Sequence, residues 1–352
     1  MNSGWKRGVA LMLPAIILAG LAAVTTPHAA AQTTPANLEQ MKADYRRPAG
    51  RPAEDRALVD LGRQLFWDPR ISASGTTMCA SCHIPYLGWG VTEPRSRNDS
   101  GKLTARKSQP LIGIGHMANA AVGWDGRNAS LEAQAKGSIA TGAMSMQDTA
   151  MPVKAEVVEQ RIRDIPAYGE MFKAVFPDGA ITLNTIARAI AAFERTMEPG
   201  VAPFDRWIDG DEGAISESAK RGFVLFNTKT TCFACHTGWR FTDDKFHDIG
   251  TSKADIGRGR AVKDDPMAQY AFKTPTLRSV ALRPPYMHNA SQASLYDVLL
   301  HYEKEPIDRR SRSPLFVPVT LSEQERNDLV ALMQTLTGVP EGEPAPKLPA
   351  SK

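Results

Sequence analysis

The sequence predicts a mostly α protein built as two domains of one plan, with long connecting loops. Three observations predict it. Apolar residues recur at helical spacing in several segments, and sustained strand-type alternation is absent. Proline (25) and glycine (27) are plentiful among the 352 residues, which points to short elements between long connections. The pattern Cys-x-x-Cys-His occurs twice, at Cys79–His83 and at Cys232–His236, and uses every cysteine of the chain.

Taken in order, residues 1–31 read as a signal peptide. Lys6 and Arg7 form a basic start, Val9 to Val24 an apolar stretch broken by Pro14 and Gly20, and Ala29-Ala30-Ala31 a small-residue cleavage site before Gln32. The stretch is short for a spanning helix, and no later segment is long and apolar enough to span a bilayer. The mature chain is therefore expected in the periplasm. A polar, proline-rich lead (Thr33 to Arg51) precedes an apolar-periodic helix, Leu58 to Phe66, that runs toward the first motif; Phe223 to Phe226 precedes the second motif in the same way. Ala155–Arg163, Tyr168–Val175, Leu183–Thr196 after the N-cap candidate Thr182, Ser294–Glu303 and Ser322–Thr337 also read as helices. The last of these opens with a capping box, Ser322-Glu323-Gln324-Glu325. Pro199 to Gly213, rich in Pro, Gly and Asp, reads as the joint between domains. The expected division is residues 32–200, residues 201–340 and a disordered tail over 341–352. With 42% hydrophobic and 23% charged residues the chain is that of a folded protein, and a net charge of +4 without a Lys/Arg run gives no case for nucleic acid.

Four cysteines in an exported protein would ordinarily suggest two disulfides. The histidine that follows each pair at once changes that reading. Two thioether bonds to porphyrin vinyl groups need two sulfurs one helical turn apart, and the adjacent imidazole then lies under the macrocycle to ligate iron. A thioredoxin-like pair does not need that histidine, and zinc would require both pairs to converge on one ion. Two covalent c-type haems are therefore expected, on Cys79, Cys82 and His83 and on Cys232, Cys235 and His236.

Further motifs carry a family resemblance. They are Trp124-Asp125-Gly126-Arg127 with Ser130 to Gln134; Phe204-Asp205-Arg206-Trp207; Phe241-Thr242-Asp243 with Phe246 to Gly250; and Thr274-Pro275-Thr276-Leu277-Arg278-Ser279-Val280 running into Pro285-Tyr286-Met287-His288-Asn289. In this order and spacing the chain, from about Leu58 to Leu336, resembles the bacterial di-haem cytochrome c peroxidase / MauG family. The resemblance implies two cytochrome c-like haem domains. The N-terminal one meets hydrogen peroxide and the C-terminal one passes electrons. It implies His83 and His236 as proximal ligands, Trp124 as the indole between the haems and Gln134 over the first haem. On the helix Leu295 to Tyr302 the peroxidases carry a methionine ligand where the MauG branch carries tyrosine. Tyr302 stands there, and a hard phenolate ligand implies a lower-potential second haem. Met287 and His288 are rival ligands, and a buried structural role is the plain alternative for Tyr302 and Trp124.

The chain departs from the family at several points. A glutamate ten residues after Gln134 serves the family as acid/base on peroxide; here it is Met144. Either Asp148 takes that role, or water and Gln134 suffice, or peroxide cleavage is slow; Met144 or Met146 as an iron ligand is a further alternative. Ser96 to Gln109 holds no histidine, so a first haem that needs no reductive activation is expected, with His116 structural. The family's calcium loses its asparagine to Ser108 or Gln109 and its threonine to Arg283. The carbonyls of Arg283 and Pro285 remain as candidate ligands, while the added cationic side chain argues against a divalent ion. The surface tryptophan of the methylamine branch, two residues before the second motif, is Thr230; Trp207 and Trp239 are nearby in sequence.

The expected activity is oxidation, by hydrogen peroxide, of a small periplasmic redox protein (a cytochrome c or a cupredoxin) or of a protein side chain. The alternative that Met144 raises is a non-enzymatic electron carrier or redox sensor.

Overall fold

Ten α-helices are present in the computed structural model, which describes residues 1, 35–118, 121–146, 153–338 and 344–351. In chain order they are α1 (Pro35–Asp44), α2 (Arg56–Trp67), α3 (Leu131–Ala140), α4 (Ala155–Arg163), α5 (Pro166–Val175), α6 (Leu183–Glu194), α7 (Pro203–Ile208), α8 (Glu217–Asn227), α9 (Leu295–Tyr302) and α10 (Glu323–Thr335). Among the described residues the only sheet is a two-residue pair, β1 (Phe246–His247) antiparallel to β2 (Phe272–Lys273). The chain is thus mostly α with long loops, and the span Thr33–Lys352 forms one compact unit. The signal-peptide segment and Asp148 lie outside the described residues.

Two apolar cores lie within that unit. The first gathers Leu61, Leu65, Phe66, Ile162, Phe172, Ile186, Ile190 and Phe193 from α2, α4, α5 and α6. The second gathers Phe204, Trp207, Phe223, Phe226, Leu299, Leu329 and Leu332 from α7 to α10. Each is organised by one crossing of a helix before the haem motif with the helix that closes the domain. At both crossings the contact residue is a glycine. A Cβ on Gly62 of α2 would lie 1.8 Å from the Ala189 carbonyl oxygen of α6, and one on Gly222 of α8 would lie 2.1 Å from the Asp328 carbonyl oxygen of α10. Only hydrogen at Cα permits backbone approach that close. The two cores thus share the same kind of helix crossing.

Gly62→Ala and Gly222→Ala each force that helix pair apart, and the obstacle is backbone rather than a side chain that can swing away. Each is expected to cost about 2–3 kcal/mol, read as a lower denaturant midpoint of the haem-loaded protein. An unchanged midpoint would mean that the crossings are looser than the structure shows.

Helix ends follow local chemistry. Asp55 accepts from the Leu58 amide at 2.8 Å, and Ser322 and Glu325 exchange side-chain to backbone bonds at 3.2 and 2.8 Å, the capping box read from the sequence.

Three expectations need correction. The lead before the first domain contains α1, and Tyr45 just after it is buried in the second core, its ring 5.4 Å from Phe223 and its hydroxyl on Asn227 at 2.8 Å. The segment Pro199 to Gly213 is not only a joint: its α7 buries Phe204 and Trp207, and Asp205 there pairs with Arg278 at 2.8 Å and with Arg47 at 3.3 Å. Loop-forming residues on both sides hid six helical residues whose aromatics dictate burial. The tail expected to be disordered has no helix or strand in its described part, 344–351, yet it is held: Arg63 donates to the Pro344 carbonyl at 2.6 Å and Arg70 to the Pro349 carbonyl at 2.8 Å. Carbonyls of a proline-rich segment need external donors, and α2 and the turn after it supply them.

Candidate haem sites and the connection between them

Each Cys-x-x-Cys-His motif opens with a single 3₁₀ turn, Cys79–Ser81 and Cys232–Ala234, and then turns its histidine inward. His83 Nδ1 lies 3.2 Å from the carbonyl of Trp89, and His236 Nδ1 lies 2.9 Å from the carbonyl of Phe241. A carbonyl can only accept, so Nδ1 carries the proton and Nε2 keeps its lone pair for a metal. Both accepting residues have left-handed backbone, Trp89 at φ 56° and Phe241 at φ 54°, a conformation bulky residues rarely adopt. The same strained device thus aims both histidines. Burial lowers both imidazoles, His83 to about 4, so they are neutral ligands at physiological pH.

The first cavity, about 1110 Å³, is lined by Cys79, Cys82 and His83 together with Gln134, Ser138 and Met144. The second, about 1250 Å³, is lined by Cys232, Cys235 and His236, with Tyr302 of α9 and an apolar wall that includes Leu299, Phe316 and Met333. No disulfide joins the four cysteines. Two cavities, each walled by two thiols and one neutral imidazole, fit a c-type haem apiece.

Trp124 lines both cavities. Its Nε1–H donates to the Lys107 carbonyl at 2.8 Å, and its main-chain carbonyl accepts from the Lys273 amide at 2.8 Å, so both the ring and the backbone that carries it are held. On the second-cavity side its ring meets that of His288 edge-on, centroids 6.3 Å apart. His288 stacks on Phe272 and is buried, which lowers its imidazole to about 4; its Nε2 has no hydrogen-bond partner among the described residues. Met287 and His288 line the second cavity together with Tyr302, so all three expected ligand candidates share that space. Burial raises the Tyr302 hydroxyl above the ordinary range of a tyrosine.

At the first cavity Gln134 accepts from Asn128 Nδ2, which turns its amide. Met144 is buried with its Sδ 4.0 Å from Cys79 Sγ. Once haem is attached that sulfur is a thioether and the contact is van der Waals, which sets Met144 beside the attachment edge. Ser96, Arg97, Thr104, Ser108 and Gln109 bring the loop after the first motif to the cavity wall without a histidine. His116 lies outside that wall, paired with Glu198 at 2.6 Å and packed on Trp239.

A residue missed in the sequence is Glu194, the last of α6. It lines the first cavity, is only 7% exposed, and its Oε2 has no hydrogen-bond partner among the described residues. Burial above all, opposed by Arg195 and assisted by Glu132, raises its carboxyl to about 8, so it holds a proton at neutral pH. The signal was legible: a carboxylate one turn past Ile190 on a face otherwise made of Ile186, Ala187 and Ile190 must be protonated or paired.

The calcium expectation does not fit. The Arg283 side chain is buried and donates to the carbonyls of Arg278 and Ser279 at 2.9 and 2.8 Å. Lys107 Nζ donates to the carbonyls of Glu93 and Pro284 at 3.1 and 3.4 Å, and burial lowers it to about 8. The surface-tryptophan exit is also absent at Thr230, which is buried and bonded to the Leu225 carbonyl at 3.2 Å; Trp207 and Trp239 are buried as well.

Two cysteine-anchored haem cavities joined by one indole define a di-haem c-type oxidoreductase. Comparison with known proteins names the family. The family described as di-haem cytochrome c peroxidase matches residues 56–213, and the cytochrome c family matches residues 219–337. The chain is 40% identical to a methylamine utilization protein MauG of Methylorubrum extorquens, over 95% of this chain and 96% of that one. It is 30% identical to a cytochrome c551 peroxidase of Nitrosomonas europaea, over 85% of each chain. Its fold matches the crystal structure of a MauG-like protein associated with microbial copper homeostasis with a TM-score of 0.70 and 26% identity, over 83% of this chain and 92% of that one. The chain belongs to the di-haem cytochrome c peroxidase / MauG family, and is a haem oxidoreductase of the peroxidase type.

Proposed function

We propose that this chain is a periplasmic enzyme that reduces hydrogen peroxide at the cavity of His83. It draws the electrons from a small redox protein, a cytochrome c or a cupredoxin, or from an oxidisable side chain of a protein substrate. The observation that carries this reading is Trp124, which lines both cavities and so offers one aromatic connection between a peroxide site and an electron-entry site. When bound, haem supplies the iron that takes up peroxide and the porphyrin that relays electrons.

The chain's own residues do the rest. His83 and His236, each oriented by a carbonyl, would hold the two irons through Nε2. Tyr302, which lines the second cavity, would supply a further ligand to the iron there. Reduction of peroxide to two waters consumes two electrons and two protons, and breaking the O–O bond requires a proton on the departing oxygen. Gln134 positions peroxide through its amide. Glu194 holds a proton on a carboxyl that faces the cavity, and so takes the role for which Met144 has no chemistry. The second domain offers a docking point: Phe233, between the two attachment cysteines, is 42% exposed, an apolar contact at the rim of the electron-entry cavity. Residues 1–31 direct export, and cleavage leaves Gln32 as the first residue.

Rapid mixing tests this reading. Ferric protein purified from the periplasm with both haems is expected to show a high-spin Soret band. That band should change within seconds of adding peroxide without prior reduction, followed by oxidation of a reduced cytochrome c or cupredoxin, or by an oxidised residue in a protein substrate. Two low-spin haems inert to peroxide would instead establish an electron carrier or redox sensor.

A further inference from the structure

We infer that the ammonium group of Lys107 is a tethered cation that fills the carbonyl cage between the two domains, so that this chain takes no divalent ion there. Lys107 is buried, and two main-chain oxygens from opposite domains hold its Nζ, that of Glu93 at 3.1 Å and that of Pro284 at 3.4 Å. Pro284 lies between Arg283 and Pro285, the two residues whose carbonyls the family resemblance offers as candidate calcium ligands.

The surroundings suit a lysine and not calcium. A calcium site gathers six to eight oxygens, carboxylates usually among them. Here the buried carboxylates nearby are spent. Arg106, the preceding residue, binds Asp255 through two bonds of 2.6 and 2.7 Å and Asp125 through one of 2.7 Å. Glu93 contributes its carbonyl, while its side chain is exposed. The Arg283 guanidinium, entirely within the protein, takes the carbonyls of Arg278, Ser279 and Thr276. The positive charges of Lys107 and Arg283, close enough to oppose each other, would repel a doubly charged ion.

The tether serves the electron path. The main chain of the same residue accepts the Trp124 Nε1–H at 2.8 Å and donates its own N–H to the His288 carbonyl at 2.8 Å. Residue 107 therefore joins Glu93 and Pro284 through its side chain and Trp124 and the His288 main chain through its backbone. A covalently attached cation holds the first two carbonyls at any ambient calcium concentration, whereas a bound ion would dissociate and release them.

The test uses the di-haem protein and calcium chloride. Native protein treated with a chelator and then titrated calorimetrically is expected to bind no calcium. Its melting temperature and its visible spectrum are expected to be the same with chelator and with millimolar calcium. Lys107→Asn, which removes the ammonium and adds an oxygen, is expected to melt lower and to recover with calcium, binding one ion per chain. One calcium per native chain, or a native spectrum that changes on chelation, would overturn the inference. So would a Lys107→Asn protein that melts like the native one. If the variant does not fold, the native titration decides alone. None of these readouts depends on peroxide turnover, so the inference and the proposed activity stand or fall separately.

Discussion

Glu194→Gln is expected to slow the reaction of the ferric protein with hydrogen peroxide by about 10²–10⁴-fold, the usual worth of a positioned acid. Glutamine keeps the shape and the polarity of the side chain but has no proton to transfer. The pH dependence gives the sharper signature. The carboxyl is raised to about 8 by burial, so the acid form is present below that pH and is lost above it. Native peroxide reactivity should therefore fall as pH rises through about 8, while the variant stays flat. Stability carries the same sign. A carboxyl whose folded pKa lies above its unfolded value of 4.5 adds stability that is complete below that value and is lost as pH rises through about 8. Glu194→Gln should thus lose less stability than the native protein between pH 7 and 9, even as its reactivity is low. A native profile with no break near pH 8, together with an unimpaired variant, would remove Glu194 from the chemistry. Infrared difference spectra read the proton directly, since a buried protonated carboxyl has a carbonyl band that the variant lacks.

What the sequence made legible, and what it hid, follows the range of the interactions involved. The haem attachment was readable because all of its geometry sits in five consecutive residues. Helices α4, α6, α9 and α10 were readable because periodicity and caps are local; α4 in particular spans the residues its spacing predicts, Ala155–Arg163. Helix α7 was not, because six residues between turn formers carry too little periodicity, and what orders them is the burial of Phe204 and Trp207 against α8. The partners of Met144 and Lys107 were not readable either. A methionine in the acid position looks like a lost function until the fold brings Glu194 to the same cavity from the far end of α6. Lys107 reads as solvated charge until the carbonyl of Pro284, distant in sequence, is found to accept a hydrogen bond from it.

Trp124→Phe tests the connection on which the proposed activity depends. Phenylalanine keeps an aromatic ring of smaller extent between the cavities and removes the Nε1–H, so the Lys107 carbonyl loses its donor. The two haems should still be attached in full, because Cys79, Cys82, Cys232 and Cys235 and both histidines are untouched. Loss of one hydrogen bond should lower stability by about 1 kcal/mol, too little to unfold the chain. Transfer of electrons from the second site to the first should slow far more, on the order of a hundredfold, equivalent to about 2.7 kcal/mol of barrier. The experiment reduces the second site selectively, adds peroxide and follows both Soret components. In the native protein the two should change together. In the variant the first should respond to peroxide while the second lags. A structural role alone predicts the opposite pattern, a lower melting temperature with the two components still moving in step. The contrast matters because His288 stacks on Phe272 on the same path, and a route through that pair would leave the variant fast. An unslowed second component would therefore move the electron path from Trp124 to the His288–Phe272 stack, and the double replacement of Trp124 and His288 would then be needed to break it.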